Sequence, residues 1–456
     1  MQLEVIILAA GQGTRMKSKR PKVLHRLGGR PLLEHVIETA LALEPKAVHV
    51  VVGHGAEEVQ ATLSRYPLNW VIQHEQLGTG HGVLQAMPKV SAQSTVLVLY
   101  GDVPLIARET LESLVAMAES GPALLTATVA QPAGYGRILR NEAGALLAVV
   151  EHKDATEQQR AIAEINTGLL AAPATDLLDY LPRVGNENKQ GEYYLPDVLS
   201  LAVAEGRVIG SCQALSELEV LGVNDRIQLN QLEREYQRRQ AESLLRAGVE
   251  LADAGRIDIR GTLNCGMDVY IDVNAVFEGE VTLGDGVVIG PNCVLSDASV
   301  AAGTTIYAMS HLQEVQVGAN CNVGPYARLR PGTVLAEGAK VGNFVETKKA
   351  NIGPGSKVNH LSYIGDCEMG AGVNIGAGTI TCNYDGVNKH KTRIGDGVFV
   401  GSNSTLVAPL DIDEAGFVAA GSTITKTVGG EELAVSRARQ RNIKGWQRPT
   451  KQRIED

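Results

Sequence analysis

The sequence has few cysteines, few aromatic residues and no long hydrophobic run. Its six cysteines are scattered without a CxxC pair in a chain of 456 residues, a length that can fold without disulfides. This distribution favours buried thiols in a reducing compartment, so we expect a cytoplasmic protein. No run approaches the roughly 18 apolar residues that span a bilayer, and we therefore expect no membrane insertion.

Positive charge is also scarce. The formal net charge is −9, which argues against a broad basic surface, so we expect no nucleic-acid partner. Any anionic substrate must then meet local basic residues. Glycine, in contrast, is abundant: the chain has 50 glycines, more than the usual share of about 7%. This abundance indicates a fold that uses glycine repeatedly.

Two patterns divide the chain. Up to about residue 228, short apolar runs such as VIILAA and TVLVLY alternate with helical stretches, which is typical of βαβ units around a mostly parallel sheet. Ligands of such sheets collect at the carboxyl ends of the strands. We predict an α/β domain over residues 1–228, a linker helix over 229–250, a β-helix over 251–437 and a basic tail over 438–456.

Aliphatic residues recur every six positions in the second half. The clearest examples are Leu283, Ile289, Leu295, Val317, Val323, Leu329, Leu335, Val341, Ile394, Val400, Leu406, Ile412, Val418 and Ile424. A hexapeptide repeat predicts a parallel β-helix, in which each face supplies a short strand and a tight corner. Glycine and asparagine suit the corners because they accept positive φ. The register breaks near residues 304–316 and 382–393, where we expect external loops.

The loop after the first predicted strand carries the first candidate site. It reads LAAGQGTRM, and Pro21-Lys22 follows six residues after Arg15. Glycines let backbone N–H groups approach a triphosphate, while Arg15 and Lys22 supply positive charge where pyrophosphate departs. The spacing matches neither a Walker A loop nor the Rossmann fingerprint. Asp102, at the end of the TVLVLY strand, is placed to hold Mg²⁺, although an ordinary turn aspartate is the alternative.

These segments resemble the nucleoside-diphosphate-sugar pyrophosphorylases, whose first motif is GxGTRM followed by PK. Further matches in the family order are EQLGTGH, YGDVP, GYGR, VEHKD, INTG and GVNDR. The resemblance implies that Asn224 joins Asp102 on Mg²⁺. It implies uracil recognition by Gln73, Gly78 and Thr79, and sugar contacts by Gly136, Glu151 and Asn166. The remaining implied contacts to the UDP-sugar are Leu8, Ala9, Ala10, Gly11, Lys22, Tyr100 and Gly101.

Segments of the hexapeptide region match a family as well. They are RLRPG, NFVETKK, NHLSYIGD, NIGAG and TCNYDG. Nearly the whole chain thus resembles the bifunctional uridylyltransferase/acetyltransferase family, whose product, UDP-N-acetylglucosamine, is a precursor of bacterial cell-envelope polymers. The resemblance implies a Rossmann-like (GT-A-like) nucleotidyltransferase domain followed by a left-handed parallel β-helix. It also implies a homotrimer with acetyl-transfer sites between subunits.

His360 is the residue that this resemblance assigns to acetyl transfer. An outward imidazole suits a general base that removes a proton from an amine, and Glu346 is a candidate to orient it. The resemblance implies that glucosamine 1-phosphate is bound by Arg330, Lys348, Tyr363 and Asn374, with Lys389 as a further candidate. It implies that acetyl-CoA is contacted by Ala377, Asn383, Tyr384, Ser402, Ala420 and Arg437.

The resemblance therefore predicts two reactions on one chain. Glucosamine 1-phosphate is acetylated by acetyl-CoA, and the N-acetylglucosamine 1-phosphate formed is joined to UTP with release of pyrophosphate. The main alternative is a single-activity nucleotidyltransferase with a structural or regulatory β-helix, and NHLSYIGD and TCNYDG argue against it. Intact phosphate-site residues argue against a noncatalytic scaffold. A γ-class carbonic anhydrase needs three zinc histidines, and the candidates His311, His360 and His390 lack the right placement.

Overall fold

The computed structural model describes residues 2–451 and contains two compact units, which divide between Gln240 and Ala241. No helix in that range is both long and apolar enough to cross a bilayer. The predicted basic tail runs to residue 456, and its residues 452–456 lie outside the described part of the chain. Met1 of the first predicted domain lies outside it as well.

The first unit is built on a nine-stranded sheet. The helices are α1 (Leu32–Leu41), α2 (Ala56–Thr62), α3 (Thr79–Ala86), α4 (Arg108–Met117), α5 (Glu157–Arg160), α6 (Ala174–Tyr180), α7 (Asp197–Ala204) and α8 (Arg226–Arg246). The strands are β1 (Gln2–Ala9), β2 (Arg26–Leu27), β3 (Arg30–Pro31), β4 (Ala47–Val52), β5 (Asn69–Ile72), β6 (Ser94–Tyr100), β7 (Ala123–Thr128), β8 (Arg137–Arg140), β9 (Leu146–Val150), β10 (Glu164–Pro173) and β11 (Gly210–Gln213). Strands β2 and β3 form a separate pair.

Strand β1 lies inside this sheet, whose main order is β11-β7-β10-β6-β1-β4-β5. Strands β4 and β6 run parallel to β1, whereas β10 is antiparallel to β6. Val5, Ile6 and Ile7 have no exposed surface, which explains why β1 is a continuous apolar run and not an alternating one. Leu8 pairs with Tyr100 of β6, so the loops after these two strands emerge at one edge of the sheet.

Helix α8 begins where the sequence supplies a cap. The Asp225 carboxylate accepts hydrogen bonds of 2.9 Å from the backbone N–H groups of Ile227 and Gln228, which satisfies donors that the first turn leaves free. The helix ends at Arg246, shortly before Gly248, whose φ is 94°. The helix predicted over residues 229–250 therefore begins and ends a few residues earlier than expected.

The second unit is a parallel β-helix made of an 11-stranded and a 13-stranded sheet. Its strands are β12 (Glu250–Leu251), β13 (Ile257–Cys265), β14 (Tyr270–Ile271), β15 (Ala275–Leu283), β16 (Val288–Ile289), β17 (Val294–Val300), β18 (Thr305–Ile306), β19 (His311–Val317), β20 (Asn322–Val323), β21 (Arg328–Leu329), β22 (Thr333–Leu335), β23 (Lys340–Asn343), β24 (Glu346–Ile352), β25 (Lys357–His360), β26 (Tyr363–Met369), β27 (Asn374–Ile375), β28 (Ile380–Cys382), β29 (Thr392–Ile394), β30 (Phe399–Val400), β31 (Thr405–Val407), β32 (Leu410–Ile412), β33 (Phe417–Val418), β34 (Thr423–Ile424) and β35 (Leu433–Ala434).

The predicted hexapeptide residues fill the interior of the β-helix. All fourteen positions named from the sequence are at most 4% exposed. One column runs through paired strands of the 11-stranded sheet and consists of Ile271, Ile289, Ile306, Val323, Val341, Val358, Ile375, Val400 and Val418. Burying such a side chain contributes roughly 1.5–3 kcal/mol, so the repeat is itself the core of this unit.

The two predicted interruptions of the repeat have different outcomes. Residues 304–316 form no external loop, because β18 and β19 pair in register with the preceding coil. The register break arises from coil length: Val276 pairs with Val294, 18 positions later, whereas Val288 pairs with Thr305, 17 positions later. Residues 382–393 do form an insertion. Strand β28 ends at Cys382, β29 begins at Thr392, and Tyr384 and Lys389 pair within the loop between them.

Candidate functional site

The loop after β1 and the end of β6 meet around the ammonium group of Lys22. Lys22 Nζ donates to Asp102 Oδ2 and, over 3.3 Å, to Asn224 Oδ1. The same Asn224 oxygen accepts a 2.8 Å hydrogen bond from Arg15. Gly13 allows the loop to approach Lys22 closely, because a Cβ at position 13 would lie 2.6 Å from Lys22 Cβ. The structure therefore brings the four predicted phosphate and metal residues together.

Backbone hydrogen bonds support this arrangement. The N–H of Gly101 donates to the carbonyl of Leu8 over 3.0 Å, and the N–H of Val223 donates to the carbonyl of Asp102 over 2.9 Å. The side-chain oxygen of Gln228 accepts a 2.7 Å hydrogen bond from the N–H of Asn224. The chain segments that carry Asp102 and Asn224 are thus joined directly, although they are far apart in the sequence.

The oxygen atoms beside Lys22 also suit a divalent metal ion. Asp102 Oδ2 and Asn224 Oδ1 both accept from one ammonium group, so a single cation can contact both. Carboxylate and amide oxygens are hard ligands of the type that Mg²⁺ accepts, and Mg²⁺ sites commonly use one or two protein ligands with substrate phosphates. Among residues 2–451, no group of three or more acidic, histidine or cysteine side chains is suited to hold a metal. A two-ligand site fits these observations.

A pocket of about 220 Å³ opens at this sheet edge. The predicted residues that line it are Leu8, Ala9, Ala10, Gly11, Lys22, Gln73, Gly78, Thr79, Tyr100 and Asp102. The predicted residues outside this lining are Arg15, Gly101, Gly136, Glu151, Asn166 and Asn224. Sequence reasoning missed Val23, Gln76, Gly82 and Glu192. Of these, Gly82 lies inside the GTGHG run and Gln76 inside EQLGTGH, so the motif itself held a signal for them.

Gly136, Glu151 and Asn166 form a second group. The N–H of Asn166 donates to the carbonyl of Gly136 over 2.9 Å. A Cβ at position 136 would lie 3.0 Å from Glu151 Oε1, so a larger residue there would push the carboxylate away by a few tenths of an ångström. Burial, and then the nearby carboxylate of Asp197, raise the pKa of Glu151. The three residues predicted to contact the sugar are therefore neighbours.

The segment that follows Gln76 is held by a chain segment that the sequence did not point to. Gly78 has a φ of 115°, and a Cβ there would lie 2.6 Å from the carbonyl oxygen of Tyr193. The N–H of Gly80 donates to that carbonyl over 2.8 Å. Thr79 Oγ1 accepts a 3.0 Å hydrogen bond from the N–H of Leu195. These contacts explain why two glycines flank Thr79 in the motif.

In the β-helix, Arg330 and Lys348 lie on adjacent coils, and Lys389 lies in the insertion after β28. Arg330 donates a 2.7 Å hydrogen bond to Glu346. The neighbouring ammonium group of Lys389 lowers the pKa of Lys348. Glu346 pairs with Tyr363 in the next coil. Lys348 thus lies close to Lys389 and Arg330, and such a concentration of positive charge favours an anion.

The side chains of Tyr363 and Asn383 both lie over Gly365. A Cβ at Gly365 would lie 2.4 Å from the Tyr363 hydroxyl and 2.8 Å from Asn383 Nδ2. The Asn383 amide donates to the carboxylate of Asp366, and Gly365 pairs with Lys348 in the preceding coil. The structure thus brings Tyr363 and Asn383 to the basic residues, although the two were assigned to different substrates.

His360 lies at the end of β25, on the 11-stranded sheet, where it pairs with Asn343. Its side chain is exposed, and its ring nitrogens make no hydrogen bond within the described part of the chain. Glu346 bonds to Arg330 and makes no hydrogen bond to His360 among residues 2–451. Asn374 lies on the same sheet and pairs with Lys357 and Phe399.

Four of the residues predicted to bind acetyl-CoA lie together: Ala377, Ser402 and Ala420 follow one another on successive coils, and Arg437 bonds to the last of them. The carbonyl of Ala377 accepts a 2.7 Å hydrogen bond from the N–H of Asn403, and the carbonyl of Ser402 accepts one of 2.8 Å from Gly421. The guanidinium group of Arg437 donates to the carbonyl of Ala420. The structure therefore aligns the set Ala377, Ser402, Ala420 and Arg437. Asn383 and Tyr384 belong instead to the end of β28 and its insertion.

Comparison with known proteins covers both units. Residues 5–168 match the family model of the MobA-like NTP transferase domain, and residues 259–346 match that of the GMPPB C-terminal domain. A protein of Marinobacter nauticus named "Bifunctional protein GlmU" is 57% identical over 450 residues, which cover 98% of this chain and 99% of that protein. The chain belongs to the GlmU family.

Other members of the GlmU family match over the same length. The "Bifunctional protein GlmU" of Alkalilimnicola ehrlichii is 57% identical, covering 98% of this chain and 96% of that protein, and that of Stutzerimonas stutzeri is 55% identical, covering 99% and 100%. The relatives therefore match both units of this chain, in the same order. Membership confirms the predicted fold, a nucleotidyltransferase α/β domain followed by a left-handed β-helix of hexapeptide repeats.

Proposed function

We propose that this member of the GlmU family is a bifunctional transferase that makes UDP-N-acetylglucosamine. The first reaction acetylates glucosamine 1-phosphate from acetyl-CoA, and the second joins N-acetylglucosamine 1-phosphate to UTP. The observation that carries the proposal is full-length identity of 54% or more to proteins named bifunctional GlmU. The Lys22–Asp102–Asn224 cluster in the first unit and the residues around Lys348 and Tyr363 in the second add to it. Enzymes of this family are transferases, and this chain is one of them.

In uridylyl transfer, a phosphate oxygen of N-acetylglucosamine 1-phosphate attacks the α-phosphorus of UTP. The bond from that phosphorus to the bridging oxygen breaks, and pyrophosphate leaves. Two anions approach each other, so Arg15 and Lys22 would lower the repulsion and stabilise the departing charge. No side-chain nucleophile is required, because positioning supplies most of the rate.

Asp102 and Asn224 would hold Mg²⁺ beside the triphosphate. When bound, Mg²⁺ supplies positive charge to phosphate oxygens at the reacting centre. Asp102 Oδ2 and Asn224 Oδ1 both accept from the Lys22 ammonium group. One cation thus already lies between the two oxygens that would hold Mg²⁺, and this supports the assignment. The metal would then compete with Lys22, which would turn to the phosphates.

The pocket would bind the UDP-sugar in two parts. Gln73, Gly78 and Thr79 would contact uracil, while the loop Leu8–Gly11 and Tyr100–Gly101 would lie along the nucleotide. Gly136, Glu151 and Asn166 would bind the sugar, because a carboxylate and an amide offer acceptors and donors to its hydroxyl groups. The closeness of these three residues supports that assignment.

In acetyl transfer, the amine nitrogen of glucosamine 1-phosphate attacks the thioester carbonyl carbon of acetyl-CoA. The carbon–sulfur bond breaks, and coenzyme A leaves and takes up a proton. His360 would remove the proton from the amine as the new bond forms. Arg330, Lys348, Tyr363 and Asn374 would bind the amino sugar phosphate. The contacts to acetyl-CoA would come from Ala377, Asn383, Tyr384, Ser402, Ala420 and Arg437.

A homotrimer would complete the acetyl-transfer site. In one chain, His360 lies on the 11-stranded sheet and Lys348 and Tyr363 lie on the 13-stranded sheet. In a trimer, the His360 face of one subunit can lie against the Lys348 and Tyr363 face of its neighbour, so that the two together form one site. We also infer a cytoplasmic location, because all six cysteines are free thiols, as expected in a reducing compartment.

The test uses the full chain with glucosamine 1-phosphate, acetyl-CoA, UTP and Mg²⁺. We expect His360→Ala to abolish release of coenzyme A while N-acetylglucosamine 1-phosphate and UTP still yield pyrophosphate. We expect Asp102→Ala to do the reverse. Loss of both half-reactions in either folded variant would contradict the two-site assignment. Pyrophosphate release without any acetyl transfer by the wild-type chain would favour the single-activity alternative.

A further inference from the structure

Gln73 presents its amide group at the wall of the nucleotide pocket. The residue is 5% exposed and lines the pocket with Gly78 and Gly82. Gly82 packs against the amide, since a Cβ there would be in van der Waals contact with it, 3.5 Å from Gln73 Oε1 and 3.6 Å from Nε2. A buried amide has few orientations open to it, so its partners decide which atom a ligand meets.

Both donors of that amide have partners in the protein. Nε2 donates to the carbonyl of Gly78 over 3.3 Å and to Nδ1 of His81 over 3.0 Å. A carbonyl oxygen can only accept, so the bond to Gly78 fixes which amide atom is nitrogen. Within the part of the chain that the structure describes, Gln73 Oε1 accepts no hydrogen bond. An acceptor oxygen without a partner among the described residues is therefore available to a ligand at this wall of the pocket.

This polarity distinguishes the two pyrimidine bases. Uracil carries a hydrogen on N3 and can donate to an oxygen, whereas N3 of cytosine is an acceptor with a lone pair. Two acceptors that face each other in a buried place leave both unsatisfied, and such a mismatch is a strong source of discrimination. If the amide rotated by 180°, its N–H groups would face the pocket and would favour cytosine.

We propose that His81 is a positioning residue that makes the site select uracil over cytosine by holding the Gln73 amide with its oxygen toward the base. The inference rests on the proposed uridylyl transfer. His81 Nδ1 must lack a hydrogen to accept from Gln73, so the neutral ring carries its hydrogen on Nε2. His81 acts through Gln73 and does not touch the reacting atoms.

The position of His81 is itself well supported. It lies in the first turn of α3, next to Gly80, whose N–H is bonded to Tyr193. The His81 and Tyr193 rings lie 6.5 Å apart between centroids. The amide nitrogen of Gln85, one turn later on the helix, lies 3.2 Å from His81 Nε2; with the ring hydrogen on Nε2, the Gln85 amide must turn by 180° so that its oxygen accepts. The ring therefore lies between the Gln73 and Gln85 amides, with Nδ1 toward Gln73.

The experiment measures kcat/KM for UTP and for CTP by pyrophosphate release, with N-acetylglucosamine 1-phosphate as the second substrate. Three variants separate the two ring nitrogens. His81→Leu removes both. His81→Asn places an amide oxygen near the position of Nδ1, and His81→Gln places one near Nε2. Thermal denaturation of the same variants reports whether the first unit, which contains His81, is folded.

We expect His81→Leu and His81→Gln to lower the UTP-to-CTP ratio of kcat/KM by about tenfold or more, the effect of one misplaced buried hydrogen bond. His81→Asn should retain the ratio to within about threefold, because it keeps the acceptor. A parallel fall of both kcat/KM values in His81→Leu, with an unchanged ratio, would overturn the proposal and leave His81 a structural residue. The proposal would also be overturned if His81→Asn and His81→Gln lowered the UTP-to-CTP ratio of kcat/KM by the same factor.

A wild-type chain that releases no pyrophosphate with either nucleotide would contradict uridylyl transfer itself. That result is distinct from an active wild type whose selectivity does not depend on His81. If His81→Leu does not fold, the comparison of His81→Asn with His81→Gln still decides the question, since both retain a polar side chain.

Discussion

Gly168 lies against the phenol ring of Tyr100. A Cβ at position 168 would be 2.6 Å from Tyr100 Cε2, and the φ of Gly168 is 85°. The N–H of Gly168 also donates to the side-chain oxygen of Asn166 over 2.8 Å. One glycine therefore controls the positions of a residue that lines the nucleotide pocket and a residue of the proposed sugar group.

Gly168→Ala is expected to destabilise the first unit and to reduce uridylyl transfer. The left-handed backbone conformation alone costs about 1–3 kcal/mol for an alanine, and displacement of the Tyr100 ring adds to it. Thermal denaturation and pyrophosphate release measure the two effects. Gly185→Ala is the matched control, because no atom lies within 4 Å of a Cβ there. An unchanged Tm and activity in Gly168→Ala would mean that the ring moves away at no cost.

The buried carboxylate of Glu4 makes stability depend on pH. His49 Nε2 lies 2.9 Å from it, and Ser94 donates over 2.7 Å. Burial raises the pKa of Glu4, but the hydrogen bonds from His49, Ser94 and Ser91 outweigh it, and the pKa is lowered from 4.5. A lowered pKa stabilises the fold above the unfolded value and loses this contribution as pH falls through the folded value.

Glu4→Gln is therefore expected to be less stable than the wild type by roughly 1–3 kcal/mol at neutral pH, the cost of weakening buried hydrogen bonds to a charged group. The difference in the free energy of unfolding between wild type and Glu4→Gln should decrease as the pH falls below about 4.5, because a protonated glutamate resembles glutamine. Urea denaturation at several pH values measures it. A gap that is independent of pH would show that the Glu4 pKa is not lowered.

The Lys348–Lys389 pair predicts a pH effect on the amino sugar substrate. Because Lys389 lowers the pKa of Lys348, Lys348 loses its proton earlier as pH rises, and the KM for glucosamine 1-phosphate should then rise. Lys389→Gln should move this rise to higher pH. Lys391→Gln is the control, since Lys391 is paired with Glu368 and should leave the midpoint in place. Identical midpoints in all three proteins would exclude coupling between the two ammonium groups.

The interior column of the β-helix predicts a contrast within one strand. Ile306 points inward with no exposed surface, while its neighbour Thr305 is partly exposed. Ile306→Ala should cost about 2–5 kcal/mol, through lost burial and a cavity. Thr305→Ala should stay within about 0.5 kcal/mol. Urea midpoints measure both, and equal effects would contradict the inward orientation of the repeat.

Much of the fold follows from local patterns. The hexapeptide residues are all buried because a six-residue period places one side chain per face inside a triangular coil. The insertion after Cys382 is also visible in the sequence. The expected loop at residues 304–316 was wrong, because a coil of 17 residues in place of 18 changes the period without leaving the sheet.

The candidate site was less accessible to sequence reasoning. Motifs named Gln73 and Thr79, but nothing in them indicated that Tyr193 and Leu195 hold the same segment. Glu346 was a candidate partner of His360, and it bonds to Arg330 on its own sheet instead. Partners of this kind depend on which strands lie side by side, and the spacing of residues does not contain that information.

The sequence by itself determined where the chain buries its side chains, since apolar periodicity reports burial residue by residue, and it placed glycine-rich loops at strand ends. Only the tertiary structure decided which polar atoms meet. Arg15 and Asn224 are 209 positions apart, yet they share a 2.8 Å hydrogen bond. Parallel pairing of β1 with β6 brings the loop of Arg15 beside Asp102, and the backbone bond from Val223 to Asp102 brings Asn224 to the same sheet edge. The direction of each amide and carboxylate is set there by its neighbours.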